Sequence, residues 1–550
     1  MSTEKKRTQL QSIGDLTIAS LLTTQAHTTP TRVMWKDYSF GMENPKVITA
    51  FERNQMANKM GNAFLDLGLK KGDHVAWLEG DYYWFLYILF GCAKSGMVQC
   101  PTNYRFVPDE IQRQTNHSDA VVFIVGEDFI EKVESVRDKL TKVKHFIAIT
   151  DKKKTPDGYL NFWDLLDNGS DKDPQERVGK IEPDDLFAMG YTAGTTGMPK
   201  GALHTHASGL AWGGLFVWGF NFTWQETTGL PAPYFHWGII GCAVCGCLLL
   251  GTPVIAMGTY KFDPSVAWKA FAKENVTQLI TPPAIIHGMF LTPGWEEMFD
   301  GSKIKHYAAS GGPLPAPDIK NVLEKFPNTT FVYAYAATEA IFTGTNREMM
   351  EKNPSAENVG MPFPQIEISI RDIDDPEKEL PLGEKGLIYV NGPGRSLGYY
   401  NAPEINKSIT DSKGWTTVEE LGYIDPETSN LHFVDRKKDM ICTGAENVAS
   451  IEVDEALMSH PAVFEAATIG IPHERWGEQV ISYVSLKPGL EATAEDLIKF
   501  CREKIADYKV PKEIKFIDEL PKNPFGKLMK RELRDPYWEG KEKDRLWGTK

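Results

Sequence analysis

The sequence predicts an α/β fold: a large N-terminal body of parallel and mixed sheets with helices, carrying a β-rich subdomain, and a small α+β C-terminal domain. Three observations predict it. Short β-branched runs alternate with helical periodicities through the first 310 residues, the pattern of βαβ units and parallel sheets. After about residue 365 the texture turns to alternating strands separated by Gly/Pro/Asp turns, which favours antiparallel pairing. Finally, 550 residues with 42% hydrophobic and 24% charged composition are too many for one core and too apolar for disorder.

Taken in order, Met56, Met60, Phe64 and Leu67 recur at helical spacing and Gly68 punctuates the segment. His74–Leu78 follows as a strand, Tyr82–Ala93 as a buried helix and Met97–Cys100 as another strand. Val121–Val125 and Phe146–Ile149 are β-branched runs separated by the helical pattern of Phe129–Leu140, and Thr277–Ile280 and Lys305–Ala309 repeat the strand signal. Ile239–Gly258 is uncharged and long enough to be a membrane-span candidate. Gly251-Thr252-Pro253 divides it, however, so the expectation is a buried helix leading into a buried parallel strand. Ile366–Ile370 and Leu387–Val390 are strands of the β-rich subdomain, about 366–437. In the tail, Val480–Leu486 reads as a strand, and Thr493-x-x-Asp496 as a helix start before Leu497, Ile498 and Cys501.

The formal charge is −14, from 60 Lys+Arg against 74 Asp+Glu, which argues against nonspecific binding to nucleic acid or an anionic membrane but leaves room for a small anion held by local cations. Seven cysteines over this length do not form a secreted disulfide framework. Cys242, Cys245 and Cys247 sit in apolar sequence without a second Cys/His pair nearby, and His204-x-His206 supplies only two imidazoles; both groups read as core residues rather than metal sites. Met1–Gln11 is basic and polar without the apolar core of a secretory signal. The expectation is free thiols and a cytoplasmic enzyme without a membrane span, acting on small molecules and not on nucleic acid, with a homodimer left open.

The most informative stretch is Tyr191-Thr192-Ala193-Gly194-Thr195-Thr196-Gly197-Met198-Pro199-Lys200-Gly201. Glycines let backbone N–H groups turn inward, hydroxyls add donors and Lys200 supplies charge, which is what polyphosphate binding needs. It is not a Walker A loop, because Lys200 is followed by glycine and precedes no Ser/Thr.

Here the sequence resembles the adenylate-forming superfamily of acyl- and aryl-CoA synthetases, luciferases and peptide-synthetase adenylation domains, whose glycine/threonine loop also ends in Pro-Lys-Gly. Further motifs follow in that family's order between about residues 47 and 534. Pro233-Tyr234-Phe235-His236-Trp237-Gly238 resembles the aromatic-His motif of the acyl pocket; Phe235, His236 and Trp237 then suit an apolar acid whose carboxylate sits at the polar end, and argue against an amino-acid substrate. Ser310-Gly311-Gly312-Pro313 resembles the loop beside adenine and the acyl group. Tyr335-Ala336-Ala337-Thr338-Glu339 resembles Tyr-Gly-x-Thr-Glu, which implies that Tyr335 stacks on adenine, Thr338 contacts phosphate and Glu339 holds Mg²⁺. The match continues through Gly383-Glu384 and Gly398-Tyr399-Tyr400-Asn401. Val418-Glu419-Glu420 stands where the family has Thr-Gly-Asp, so Glu420 takes the ribose-binding carboxylate position, and Arg436 aligns with the ribose-contacting arginine. Lys438 falls at the hinge position, while Lys437 reads as part of a solvated charge cluster. Asp507-Tyr508-Lys509-Val510-Pro511 also matches, and Pro521-Lys522-Asn523-Pro524-Phe525-Gly526-Lys527 resembles the loop of the catalytic lysine, Lys527 here.

The resemblance implies an adenylating domain of residues 1–437 and a mobile lid of residues 438–550. A carboxylate attacks the α-phosphate of ATP, giving acyl-AMP and pyrophosphate; a thiol, CoA, then displaces AMP. Between the halves the lid swings about Lys438, withdrawing Lys527 and presenting Thr443, Gly444 and Ala445 to the CoA path. Three departures fall on glycine positions: Ala336, Ala445 and Glu419. A Cβ costs little at negative φ and about 1 kcal/mol or more where φ must be positive. Glu419 also adds a negative charge near the nucleotide. Two other readings compete: adenylation with another acceptor, such as a carrier protein, and a catalytically weakened nucleotide-binding regulator prompted by Val418-Glu419-Glu420. Retention of Lys200, Glu339, Arg436 and Lys527 argues against the regulator.

Overall fold

A computed structural model describes residues 13–192, 200–312, 314, 316–352, 357–437, 439–443, 446–474, 476–522 and 528–539. Three sheets organise them. One has seven strands, parallel from Tyr159–Asn161 at one edge through His74–Leu78 to Leu186–Thr192, and closes with the antiparallel strand Lys200–Thr205. The second, of thirteen strands, holds a parallel run formed by Val33–Asp37, Val254–Gly258, Thr228–Ala232, Gln278–Ile280, His306–Ser310 and Thr330–Ala337. It continues through antiparallel strands to Glu367–Arg371, Gly386–Asn391, Thr416–Ile424 and Leu431–Arg436. The third has five strands, centred on the antiparallel pair Val463–His473 and Gly477–Leu486. The α/β body with an antiparallel extension and a small α+β tail is the class the sequence predicts.

The parallel runs are hydrophobic because both faces are covered. His74–Leu78 is buried at all five positions, and so is every residue of the helix Phe85–Ser95. That helix ends where Gly96 takes the left-handed conformation at φ 73°. The apolar run after residue 238 divides as its Gly-Thr-Pro predicts. A π-helical stretch Ile239–Val244 and helix Cys245–Leu250 stop at Gly251, φ 65°, and Val254–Gly258 enters the sheet as a fully buried parallel strand. Among the described residues no helix is long and apolar enough to cross a membrane. The free cysteines Cys242, Cys245 and Cys247 are buried there, where desolvation raises their thiol pKa values.

One expected helix does not form. Phe129–Leu140 is a 3₁₀ turn Glu127–Phe129, a short helix Ile130–Glu134 and a second turn Arg137–Lys139. Phe129, Val133, Val136 and Leu140 are nevertheless all buried. The spacing reports which residues face inward, a condition that broken turns also meet, and the weak helix formers Ser135 and Val136 let the chain leave the helix. The capping box at Thr493 and Asp496 does form, opening helix Ala494–Arg502. The last strand of the large sheet ends at Arg436 and the small sheet begins with Ile441–Thr443. Across that junction the Asp435 carboxylate accepts from the Ser450 amide and hydroxyl, both at 2.7 Å, and Arg534 pairs with Asp439 at 2.9 Å.

Candidate active site

Parallel pairing carries successive strands to one carboxyl edge, where loops can converge. In the thirteen-stranded sheet that edge releases Pro233–Gly238, Ser310–Gly312 and, after Ala337, Thr338-Glu339. Ser310 is the register partner of Ala334, so the glycine loop emerges beside Tyr335, and the Tyr333 hydroxyl donates to the Gly312 carbonyl at 2.9 Å. Gly311 is exposed at φ 94°, the left-handed region that requires glycine there. The seven-stranded sheet delivers Thr192 and Lys200, register partners at the mouth of the glycine/threonine loop. The two sheets meet closely: a Cβ on Gly190 would lie 2.9 Å from both the Thr338 methyl and Trp237 Cβ.

Two buried glutamates define the site. Glu339, 6% exposed, accepts the Tyr399 hydroxyl, and Lys200 Nζ lies 5.2 Å from the Tyr399 ring centroid. Tyr399 is held there because Ala202 and Tyr399 form an isolated bridge, and the Ser396 amide donates to the Glu339 carbonyl at 2.7 Å. Desolvation pushes the Glu339 carboxyl above its ordinary value, an effect that the hydroxyl and Lys200 only partly offset. Glu420, 9% exposed, accepts the Tyr335 hydroxyl and faces its register partner Arg436 at 3.5 Å. The Tyr335 ring packs on Phe342 and Phe433, with centroids 4.7 and 5.7 Å away.

The aromatic-His loop forms the apolar side. Phe235 and Trp237 are buried, with Tyr104 edge-on to Phe235 at 5.1 Å. His236 is half-buried, accepts the Gly238 amide at 3.1 Å and is kept neutral by desolvation, which lowers its pKa to about 4. The start of the loop is clasped by Asp81, whose carboxylate accepts from the Tyr234 amide, the Thr259 amide and the Thr259 hydroxyl at 2.8, 3.1 and 2.9 Å. Asp81 itself sits at φ 61°. Beneath the loop His204 stacks flat on Trp237, with centroids 3.8 Å apart and planes at 12°.

Thus Thr192, Lys200, Ser310, Gly311, Gly312, Tyr335, Thr338, Glu339, Glu420 and Arg436 lie on segments brought together, with Phe235, His236 and Trp237 behind them. Thr443 is half-buried in the small sheet, paired with Gly477. Gly194, Thr195, Thr196, Gly197, Lys438, Gly444, Ala445 and Lys527 lie outside the described residues. Tyr399, Asp81 and His204 were not expected to serve the site. Tyr399 stood inside a matching motif and could have been noticed; the Tyr234 amide bonded by Asp81 and the Thr338 carbonyl bonded by His204 each lie more than 130 residues away and leave no local signal. Of the glycine departures, Ala336 is absorbed by an extended strand, whereas Glu419 adopts φ 59°. The Glu419 side chain is exposed, so its added charge faces solvent.

The family model described as AMP-binding enzyme matches residues 22–400, and the AMP-binding enzyme C-terminal domain matches residues 452–527. A feruloyl-CoA synthase from Amycolatopsis sp is 30% identical over 489 residues, 88% of this chain and 93% of that protein. The long-chain-fatty-acid–CoA ligase FadD13 of Mycobacterium tuberculosis is 29% identical over 497 residues, covering 89% and 93%. Among solved structures, a Mycobacterium tuberculosis fatty acyl CoA synthetase superposes with a TM-score of 0.73 at 27% identity, covering 96% of this chain and 99% of that one.

Proposed function

The chain belongs to the AMP-binding enzyme family, and on that premise we propose that it is an ATP-dependent carboxylic acid–CoA ligase. It activates an apolar acid as acyl-AMP with release of pyrophosphate, then transfers the acyl group to CoA and releases AMP. The observation that supports this most is the pair of buried glutamates, one on the Thr338–Glu339 turn near Lys200 and one on the strand Thr416–Ile424 against Arg436.

Each group has a chemical task. Thr192, Lys200 and the intervening loop, with Gly194, Thr195, Thr196 and Gly197, bind the phosphates through amides, hydroxyls and one ammonium. Glu420 accepts from ribose hydroxyls, Arg436 orients it, and Tyr335 with Gly311 and Gly312 borders the adenine. Glu339 fits Mg²⁺, because a hard oxygen donor buried at an energetic cost is a charge that a divalent cation offsets. The ion supplies neutralisation of phosphate charge. Phe235 and Trp237 wall the acid, and neutral His236 and Ser310 stand at its polar end. The carboxylate oxygen attacks the α-phosphorus as the bond to pyrophosphate breaks, with Thr338 and the Lys527 ammonium offsetting the charge that develops. In the second half the CoA sulfur attacks the acyl carbon and AMP departs. We assign that path to Thr443, Gly444 and Ala445, after residues 438–550 turn about Lys438 relative to 1–437.

The acid is aromatic, alicyclic or medium-chain in this reading; the two relatives are named for a feruloyl and a long-chain fatty acyl group. The enzyme is cytoplasmic in the same reading, its partners are its small substrates, and a homodimer is the assembly to test by sedimentation. The decisive experiment is ATP–pyrophosphate exchange across a panel of apolar carboxylic acids, followed by addition of CoA. Exchange with at least one acid, and acyl-CoA once CoA is added, is expected; no exchange with any acid would sink the reading. Lys527→Ala should abolish exchange while sparing thioester formation from supplied acyl-AMP.

A further inference from the structure

His204 touches two of the segments assigned above, the Trp237 loop and the Thr338–Glu339 turn, although nothing about its local sequence points to a role. It lies on the strand Lys200–Thr205, four residues beyond the phosphate-loop lysine, and is fully buried. Its ring is stacked on Trp237 of the acid-binding loop at 3.8 Å and 12°. Nε2 is 2.9 Å from the carbonyl oxygen of Thr338, and Nδ1 is 3.3 Å from the Ser208 hydroxyl. A carbonyl can only accept, so the bond to Thr338 places the ring proton on Nε2 and leaves Nδ1 as an acceptor. The space around the ring is closed. Gly190 touches Trp237 and Thr338 so tightly that a Cβ would meet both, and Trp212 stands edge-on to Trp237, with centroids 5.9 Å apart.

We propose that His204 is a positioning residue that locks the acid-binding loop to the Thr338–Glu339 turn, so that the bound carboxylate and the α-phosphate meet at reacting distance. This rests on the function proposed above. The ring has two separable duties. Its flat face sets Trp237, and therefore the depth and preference of the acid pocket. Its Nε2–H holds the Thr338 carbonyl, and therefore the turn that presents Thr338 and Glu339 to the phosphates. A misplacement of about an ångström between reacting groups costs roughly a hundredfold in rate, so two loops from separate motifs need a direct link, and His204 bonds one while stacking on the other.

Two variants separate the duties. His204→Phe keeps an aromatic face against Trp237 and loses the donor to Thr338; the expected result is an exchange kcat lower by roughly ten- to hundredfold, with the KM for the acid little changed. His204→Gln can retain a donor toward Thr338 and loses the stacked face; its expected result is a KM for the acid raised roughly tenfold and an altered order of acids in the panel, with kcat largely kept. Thermal unfolding is measured on both. Wild-type kinetics in both variants would overturn the proposal. So would parallel losses in kcat and KM that track a lowered Tm, or failure of both to fold, since the role would then be structural alone. If only the phenylalanine variant fails to fold, the glutamine variant decides by whether KM rises without kcat. Absence of exchange in the wild-type enzyme with every acid would instead overturn the parent function, so the two failures are distinguishable.

Discussion

The turn around Glu339 and the strand around Glu420 use one local device in two electrostatic settings. Each carboxylate is buried and receives a tyrosine hydroxyl, Tyr399 in one case and Tyr335 in the other. Each also neighbours a residue where the related family has glycine. Glu420 has a guanidinium as its cross-strand partner, so its charge is balanced within the protein. Among the described residues Glu339 has Lys200 as its cation, at longer range, and burial together with the charge of Glu420 raises its pKa. A balanced carboxylate suits recognition of neutral hydroxyls; an unbalanced one suits a cation that arrives with the substrate. The backbone differs as well. Ala336 lies in an extended strand that tolerates any Cβ, while Glu419 is strained at φ 59°.

The largest effect expected from this contrast is at Glu339. Glu339→Gln keeps an acceptor for Tyr399 and removes the charge, so exchange activity should fall by roughly 10²–10³-fold. Its stability should move the other way. A buried acid with a raised pKa contributes stability while protonated and loses it as pH rises from the ordinary value of 4.5 through the raised one. The glutamine variant should therefore unfold at a higher temperature than wild type near neutral pH without Mg²⁺ or nucleotide, and show no such gain near pH 4. Equal stability at both pH values would contradict an unbalanced Glu339.

A smaller effect is expected at Glu420. Glu420→Gln leaves Arg436 without its anion and weakens the acceptor for hydroxyls, so the KM for ATP should rise roughly tenfold, about 1.4 kcal/mol. The kcat at saturating ATP should stay close to wild type. A collapse of kcat with unchanged KM would mean that the two glutamates are not divided as described.

The smallest effects concern the backbone, and their signs should be opposite. Glu419→Gly relieves the left-handed conformation of a side-chain-bearing residue and should stabilise by about 1 kcal/mol. Ala336→Gly loosens a strand and should cost about 0.5–1 kcal/mol. Denaturant titration reads both, and shifts of the same sign would remove the distinction between the two departures.

Much of this arrangement was legible in advance, and its limits have a physical cause. Strands such as His74–Leu78 and the buried strand after Gly251-Thr252-Pro253 follow from patterns a few residues long. So does the helix start at Thr493, because the cap is made by Asp496 three residues on. The Phe129–Leu140 segment has helical spacing without a continuous helix, because burial and helicity leave the same spacing. The glutamates, Lys200 and Arg436 were found through motifs that a site for a charged nucleotide needs. Tyr399, Asp81 and His204 were not found, since each acts on a group far along the chain.

By itself the sequence determined the order of strands and helices, the apolar runs that must be covered and the residue types able to bind phosphate. It also determined where glycine was lost. Only the tertiary structure decided which losses are strained, since φ at Ala336 and Glu419 is set by their strands' partners. It alone decided which carboxylate is balanced, because the Glu420–Arg436 register and the distance of Lys200 from Glu339 are properties of packed sheets. The stacking of His204 on Trp237 and its bond to Thr338 belong to the same class: they arise where loops from the carboxyl edge of one sheet pack against the antiparallel edge strand of the other, and short-range patterns along a chain hold no record of that meeting.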